Sequence, residues 1–339
     1  MIDSADVRKL NKNKIRKIMW KGGVWTKQTV ADVTGLSVAT CNTLLNELER
    51  EGEIIGQKQR LNEVGRCTAV FQINEDFESI LCISFEMILG VKTLHCTVLS
   101  MCNRVLATTE TIHQQLDISS ISQEISAIFS TYPNISSVVI GTPSIAEHGV
   151  IRHCDIAELD NEPLVQIIEK QYHVPVYMEN DMYFKAYGYY KTQCTMDDVV
   201  TILNYPSHIL PGTATIHRGT IVTGKNGFAG MVGFLPFDIG RDRQIELLSE
   251  QTCVPLISKA AASLIAIMNP NRMIFTGDLL TPSVMKTVME NCKQYIPNEY
   301  MPSFQFVEDI QPFYLEGMYR QAIDKKAAII NNKRQENLL

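Results

Sequence analysis

Ala39, Thr40, Asn42 and Thr43 are small or carry one short hydrogen-bonding group, and they crowd into the interval 39–43. Side chains of that size fit against base edges in a DNA major groove. Hydroxyls and amides can exchange hydrogen bonds there, and methyl groups can touch thymine. Ser37 stands just before them, and cations stand on either side in the sequence: Lys27, Lys58, Arg60 and Arg66. Cations at such places hold phosphate oxygens and set the register of a protein on the duplex without reading it.

These residues need elements to hold them. Residues 26–50 read as two short helices joined by the turn Thr34-Gly35-Leu36. Thr26 can cap the first helix, with Val30, Ala31 and Val33 on its inner side. Gly35 supplies positive φ in the turn. Ser37 caps the second helix, in which Cys41, Leu44, Leu45 and Leu48 recur at helical spacing and face a core. A helix rich in lysine and arginine (Arg8, Lys9, Lys12, Lys14, Arg16, Lys17, Lys21) precedes the pair. Two short strands follow, Ile54-Ile55 onward and Thr68–Ile73, around a basic tip that includes Lys58, Arg60 and Arg66. The bland alternative is a helix hairpin that only packs. The basic helix and the two-stranded wing favour a winged helix-turn-helix that binds double-stranded DNA.

Charge is divided along the chain. Residues 1–66 hold 12 Lys+Arg and 8 Asp+Glu, while the other residues of the 339 hold 19 and 29. A basic head on an acidic body fits a head that meets phosphates and a body that does not. Nine cysteines occur, with no Cys-x-x-Cys pair. That pattern argues against a disulfide framework or a zinc ribbon and fits a reducing cytoplasm. No apolar run of about 18 residues is present, so no membrane span is expected. The start has no signal-peptide pattern.

A polar junction at 74–79 divides head from body. Beyond it the chain reads as three strands, a helix and a strand, and then repeats that order. The first set comprises strands at 80–85, 91–99 and 103–111 with a turn at 87–90, a helix at 118–132 and a strand at 137–141. A helix at 163–172, a strand at 174–178 and a helix at 181–190 follow. The second set comprises strands at 198–203, 212–217 and 220–223, helices at 239–250 and 255–268, a strand at 273–276, a helix at 282–295 and a strand at 303–307. A last helix starts at 314. The expected division is a DNA-binding head at 1–75, α/β lobes at 79–190 and 191–312, and a C-terminal helix at 313–332. Ligands of such paired sheets bind in the cleft beyond the strand ends.

The chain resembles the ROK family (repressors, open reading frames and kinases), whose body is a two-lobed actin-like, ribonuclease-H-like fold. In the head the likeness rests on Lys14–Ile18, Thr34-Gly35-Leu36-Ser37, Leu48-x-x-x-Gly52 and Gly65-Arg66. In the body it rests on Val139-Ile140-Gly141-Thr142-Pro143, Glu179-Asn180-Asp181, Gly227-Phe228-Ala229-Gly230 and Met268-Asn269-Pro270 before Thr276-Gly277. The resemblance implies a ligand cleft between Gly141-Thr142-Pro143, Asn180-Asp181 and Gly230, Met231 and Phe234. It makes Asp181 the counterpart of the kinases' general base. The plainer role for Asn180-Asp181 is to cap the helix that starts there.

Three departures bear on function. The family's phosphate loop, Asp-x-Gly-x-Thr, is here Ser84-Phe85-Glu86-Met87-Ile88-Leu89-Gly90, bulky and with one glycine. A phosphate cradle needs exposed amides and close backbone approach. The family's Ala-Gly-Glu-x-Gly-His reads Ala229-Gly230-Met231-Val232-Gly233-Phe234, so two sugar-binding polar groups become apolar. The zinc loop after it is missing, because residues 235–253 contain only Cys253. The resemblance, with these departures, implies a cytoplasmic ROK-type transcriptional regulator, a repressor by expectation. Its body would dimerise, sense a small molecule such as a carbohydrate derivative, and use no cofactor and no metal. An active ROK sugar kinase with a DNA-binding head is the alternative, and a scaffold with a vestigial cleft is a third reading.

Overall fold

The computed structural model describes residues 4–60, 67–207 and 209–332. Its elements run, in order, α1 Ser4–Met19, β1 Trp25–Thr26, α2 Lys27–Thr34, α3 Val38–Arg50, β2 Ile54–Gln59 and β3 Thr68–Ile73. Then come β4 Ser79–Ile88, β5 Val91–Ser100, β6 Val105–His113, α4 Ile118–Thr131, β7 Ile135–Thr142, β8 Ile145–Glu147 and β9 Val150–Arg152. Next are α5 Leu164–Tyr172, β10 Val176–Asn180, α6 Asp181–Gln193, β11 Val199–Asn204, β12 Gly212–His217 and β13 Thr220–Ile221. The last are α7 Arg241–Leu247, α8 Val254–Met268, β14 Arg272–Thr276, α9 Pro282–Cys292, β15 Ser303–Phe306 and α10 Gln311–Asn332.

Local rules set the head. Thr26 and Thr29 form a reciprocal cap on α2: Thr29 N donates to Thr26 Oγ1 at 3.1 Å and Thr26 N to Thr29 Oγ1 at 2.9 Å. Gly35 takes φ 69°, and its N–H closes α2 on the Ala31 carbonyl. Ser37 Oγ accepts from Thr40 N at 3.1 Å and starts α3. Cys41, Leu44, Leu45 and Leu48 are all buried. Val33 is a correction: it is 55% exposed. Val30 and Ala31 define the buried face of this 8-residue helix. At about 100° per residue, Val33 lies roughly 110° from the centre of that face. β1 and β2 flank β3 in an antiparallel sheet.

The basic helix is less free than its sequence suggests. Arg8, Lys12 and Arg16 recur every fourth residue on one face of α1 and meet acidic residues at and just after the end of α3. Arg8 pairs with Glu47, Lys12 with Glu51, and Arg16 with Glu53 through two bonds of 2.7 and 2.5 Å. Lys12 holds the Glu51 carboxyl below the usual carboxylate range. Lys9, Lys14, Lys17 and Lys21 stay exposed.

The body contains two five-stranded sheets, β10-β7-β4-β5-β6 and β13-β12-β11-β14-β15. In both, three antiparallel strands come first and two parallel strands join the free side of the first one. The repeated strand order is therefore real. Several expected boundaries shift. β4 runs to Ile88, so the turn before β5 shrinks to Leu89-Gly90, with φ 49° and 82°. The helix expected at 239–250 spans only Arg241–Leu247, and the one expected at 282–295 stops at Cys292. The small hairpin β8–β9 has no clear sequence signal, since its strands are 3 residues each.

Two helices tie everything together. α6 and α10 cross at Gly188 and Gly317. A Cβ on Gly188 would stand 1.9 Å from the Phe313 carbonyl oxygen, and one on Gly317 would stand 1.9 Å from the Phe184 carbonyl oxygen. Only glycine permits that approach. Farther along α10, the buried Tyr319 hydroxyl is shared between the carbonyl oxygens of Trp20 (3.1 Å) and Met101 (3.0 Å). Head and body accordingly share one core: Ile15, Met19 and Trp20 pack in the same cluster as Leu99, Met101, Met318 and Tyr319.

Candidate functional sites

Burial divides α3 into two faces. Cys41, Leu44, Leu45 and Leu48 are inside, while Ala39 and Thr43 are exposed and Thr40 and Asn42 half-exposed. The hydroxyls of Thr40 and Thr43 make only local bonds, to Ser37 Oγ at 2.8 Å and to the Ala39 carbonyl at 3.2 Å. Each can rotate to another partner at little cost. Lys58 and Arg60 are exposed at the far end of β2. Lys27 is half-buried, with its ammonium 5.9 Å from the Phe71 ring centre. Arg66 lies outside the described residues.

The second site is a cleft of about 1030 Å³ between the two sheets. Pro143, Asn180, Asp181, Gly230, Met231 and Phe234 line it. Gly141 and Thr142 do not, which corrects their assignment. Thr142 is fully buried and its Oγ1 accepts from Ser144 N at 3.2 Å. Gly141 lies behind Tyr314, whose Oη would be 1.8 Å from any Cβ there. The residues that follow β7, not its last two, reach the cleft.

Asn180 is spent on the fold. Its Oδ1 accepts from Met182 N at 3.0 Å, its Nδ2 donates to the Ser144 carbonyl at 3.1 Å, and it is 4% exposed. Capping of α6 is thus its observed role. Asp181 Oδ1 also accepts from Met182 N, while Oδ2 accepts from Lys185 Nζ at 2.5 Å. Lys185 is 7% exposed, and its ammonium sits 5.1 Å from the Tyr314 ring centre. Sequence reasoning missed this partner, although its i+4 spacing on α6 was visible. Tyr314 comes from α10, and no local signal links it to Asp181.

Opposite stands an apolar shelf. Phe234 packs at 5.1 Å from Phe228, and the Arg241 guanidinium covers it at 4.5 Å. Gly230 takes φ 90°, and a Cβ there would meet the Thr213 carbonyl oxygen at 2.3 Å. Thr213 Oγ1 donates to the Gly230 carbonyl at 2.9 Å. The Tyr183 hydroxyl approaches the carbonyl oxygens of Gly227 (3.0 Å) and Ala229 (3.1 Å) and so holds the same loop. Burial, with Glu179 nearby, pushes the Tyr183 phenol up to about 12, so it stays a neutral donor.

Residues 87–254 match the ROK family. That stretch is a ROK-family domain. The chain is 24% identical over 240 residues to the xylose repressor of Caldicellulosiruptor bescii, covering 67% of this chain and 58% of that protein. A Caldicellulosiruptor sp. strain Rt8B.4 protein, provisionally given the same name, is 24% identical over 254 residues, covering 71% and 62%. The chain thus spans about three-fifths of the length of these relatives. Among solved structures, a ROK family transcriptional regulator described as a homologue of the Escherichia coli MLC protein superposes with a TM-score of 0.66 at 15% identity, covering 93% of this chain and 98% of that one. A ROK hexokinase from Thermus thermophilus gives 0.57 at 15%, covering 73% and 99%. The likeness extends to the two-lobed sugar-kinase-like fold of the body.

Within that ROK body, the turn that resembles the phosphate loop is a two-residue hairpin turn. Glu86, Met87 and Ile88 are in ladder with Thr93, Lys92 and Val91. A turn so short offers no concave row of free amides to a phosphate. Among the described residues, no three His, Cys, Asp or Glu side chains gather to hold a metal ion. No helix of the described residues is long and apolar enough to cross a membrane.

Glu179, beside Asn180, gives a pH test. Burial pushes its carboxyl up, against the pull of Lys325. Folding therefore shifts this carboxyl toward its protonated form relative to the unfolded chain. Stability from this group is fullest below the unfolded value of about 4.3 and is lost as pH rises through the raised folded value. Glu179→Gln should melt higher than the parent at pH about 7, with the gap closing on acidification toward about 4. A variant that melts lower than the parent at neutral pH would contradict the assignment.

Proposed function

We propose that the chain is a DNA-binding transcriptional regulator, a repressor, whose head is a winged helix-turn-helix at residues 1–75. Its lobes at 79–190 and 191–312, with the helix at 313–332, form a sensing and self-associating body. The observation that carries the reading is the two-faced α3, buried behind and presenting Ala39, Thr40, Asn42 and Thr43 in front. Ser37, Lys27, Lys58, Arg60 and Arg66 supply the surrounding phosphate contacts. The names of the two Caldicellulosiruptor relatives support the repressor assignment. A homodimer matches the two-fold symmetry of most operators.

The body senses a small molecule rather than transferring phosphate. Asp181 is tied to Lys185, so a substrate hydroxyl would have to compete with an ammonium at 2.5 Å. The two-residue Leu89-Gly90 turn gives ATP no cradle. Incubation with ATP and hexoses should yield no sugar phosphate. Phosphotransfer that disappears in Asp181→Asn would establish the kinase instead.

The effector is a carbohydrate derivative with an apolar portion. Met231 and Phe234 present apolar surface, and buried hydroxyls facing them would lose their hydrogen bonds. Glucose is therefore expected to bind weakly or not at all in calorimetry, and thermal shifts against pentoses, amino sugars and sugar phosphates should rank better ligands. Tight glucose binding that Asp181→Ala abolishes would show that the apolar replacements do not matter.

A further inference from the structure

α10 touches both ends of the molecule's proposed business. Near its start, Tyr314 lies under the Lys185 ammonium, with the Ser84 hydroxyl beside it, and closes off Gly141 from the cleft. Five residues on, Tyr319 sits between the Trp20 carbonyl of the head and the Met101 carbonyl of the body. Those two tyrosines are about 7–8 Å apart along the axis of one continuous helix. The helix between them is clamped to α6 at Gly188 and Gly317, where backbones are in direct contact. A displacement at Tyr314 has no soft layer in which to dissipate before it reaches Tyr319.

We infer that the Asp181–Lys185 pair and Tyr314 form a latch in the cleft, and that α10 transmits its state to the head through Tyr319. In the latched state Lys185 donates to Asp181 and rests on the Tyr314 ring. A ligand that hydrogen-bonds Asp181 displaces Lys185 and frees the Tyr314 end of α10. Tyr319 then loosens its hold on Trp20, just past the end of α1, and the head becomes less ordered against the body. A ligand acts only to the extent that it binds one state more tightly than the other. Direct competition for Asp181 supplies that difference. The inference rests on the reading of the cleft as the sensing site and of the head as the DNA reader, but its test needs neither ligand nor DNA.

The test is hydrogen–deuterium exchange of the full chain, read in peptides covering residues 15–31. Lys185→Met removes the ammonium and keeps the stem. It should speed exchange there by about fivefold or more. Asp181→Asn releases the same pair from the other side and should act in the same direction, so one poorly folding variant leaves the test standing. Lys191→Met is the control: Lys191 also leaves α6, stacks 5.0 Å over Tyr187 and reaches Asp324 of α10, but it lies outside the cleft. It should leave head exchange within about twofold of the parent. In a Tyr319→Phe background, which cuts the link, Lys185→Met should add nothing further. Unchanged head exchange in Lys185→Met and Asp181→Asn would overturn the latch. So would an equal effect of Lys191→Met, or an undiminished effect in the Tyr319→Phe background. Loss of DNA binding by the parent protein would bear on the head alone.

Discussion

Gly317→Ala is expected to destabilise the protein by at least about 3 kcal/mol, and Gly188→Ala by a similar amount. Ordinary overpacking of a core costs about 1–3 kcal/mol because side chains rotate away. Here the new methyl would stand 1.9 Å from a carbonyl oxygen of the facing helix, and neither backbone can rotate. α6 and α10 would have to separate. That separation would strip cover from Phe184, Tyr314 and Met318, all of them buried in one cluster. Urea denaturation of each variant measures the loss. Gly240→Ala is the reference, because its Cβ would meet nothing within 4 Å. It should change stability by no more than about 0.5 kcal/mol. If Gly317→Ala proved as mild as Gly240→Ala, the close crossing would be wrong, and with it the rigid path from cleft to head.

The second large effect concerns salt. If a dimer neutralises about six phosphates, raising salt from about 50 to about 200 mM should weaken duplex binding about 10³-fold. The head's excess of cations over the acidic body motivates this, and the structure selects among them. Lys58→Ala and Arg60→Ala, each present in both protomers, should each flatten the dimer's slope by about two counterions and weaken all sequences alike. Arg16→Ala should not change the slope, because its guanidinium is already bound to Glu53. It should lower stability instead. Anisotropy titrations across salt distinguish the two kinds of cation. A slope that drops as much for Arg16→Ala as for Lys58→Ala would show that the α1 pairs open on DNA.

Much of the architecture was legible because local signals agree with the fold. Thr26, Gly35 and Ser37 announce the two helices of the head, and the α3 apolar residues select its buried face. In the body, period-2 strands and turn residues mark the repeated order of strands. What stayed hidden depends on distant partners. The basic α1 favoured a DNA-binding head in the sequence, but three of its cations answer Glu47, Glu51 and Glu53, more than 30 residues later. Gly141 and Thr142 looked like cleft residues because a motif continues through them, yet Tyr314 from the last helix covers the first and the second, at the end of β7, is fully buried. Val33 was misplaced because the buried face of a two-turn helix is narrow.

Selection from a library of randomised duplexes with the full-length protein tests the central claim most directly. At low salt the protein should enrich one defined sequence with two-fold symmetry. Thr43→Ala should shift the preference at one position of each half-site, with a cost of about 1–3 kcal/mol for the parental sequence. A protein that enriches no sequence would contradict the account. So would one in which the combined change of Thr40, Asn42 and Thr43 to alanine leaves the same sequence enriched to the same degree.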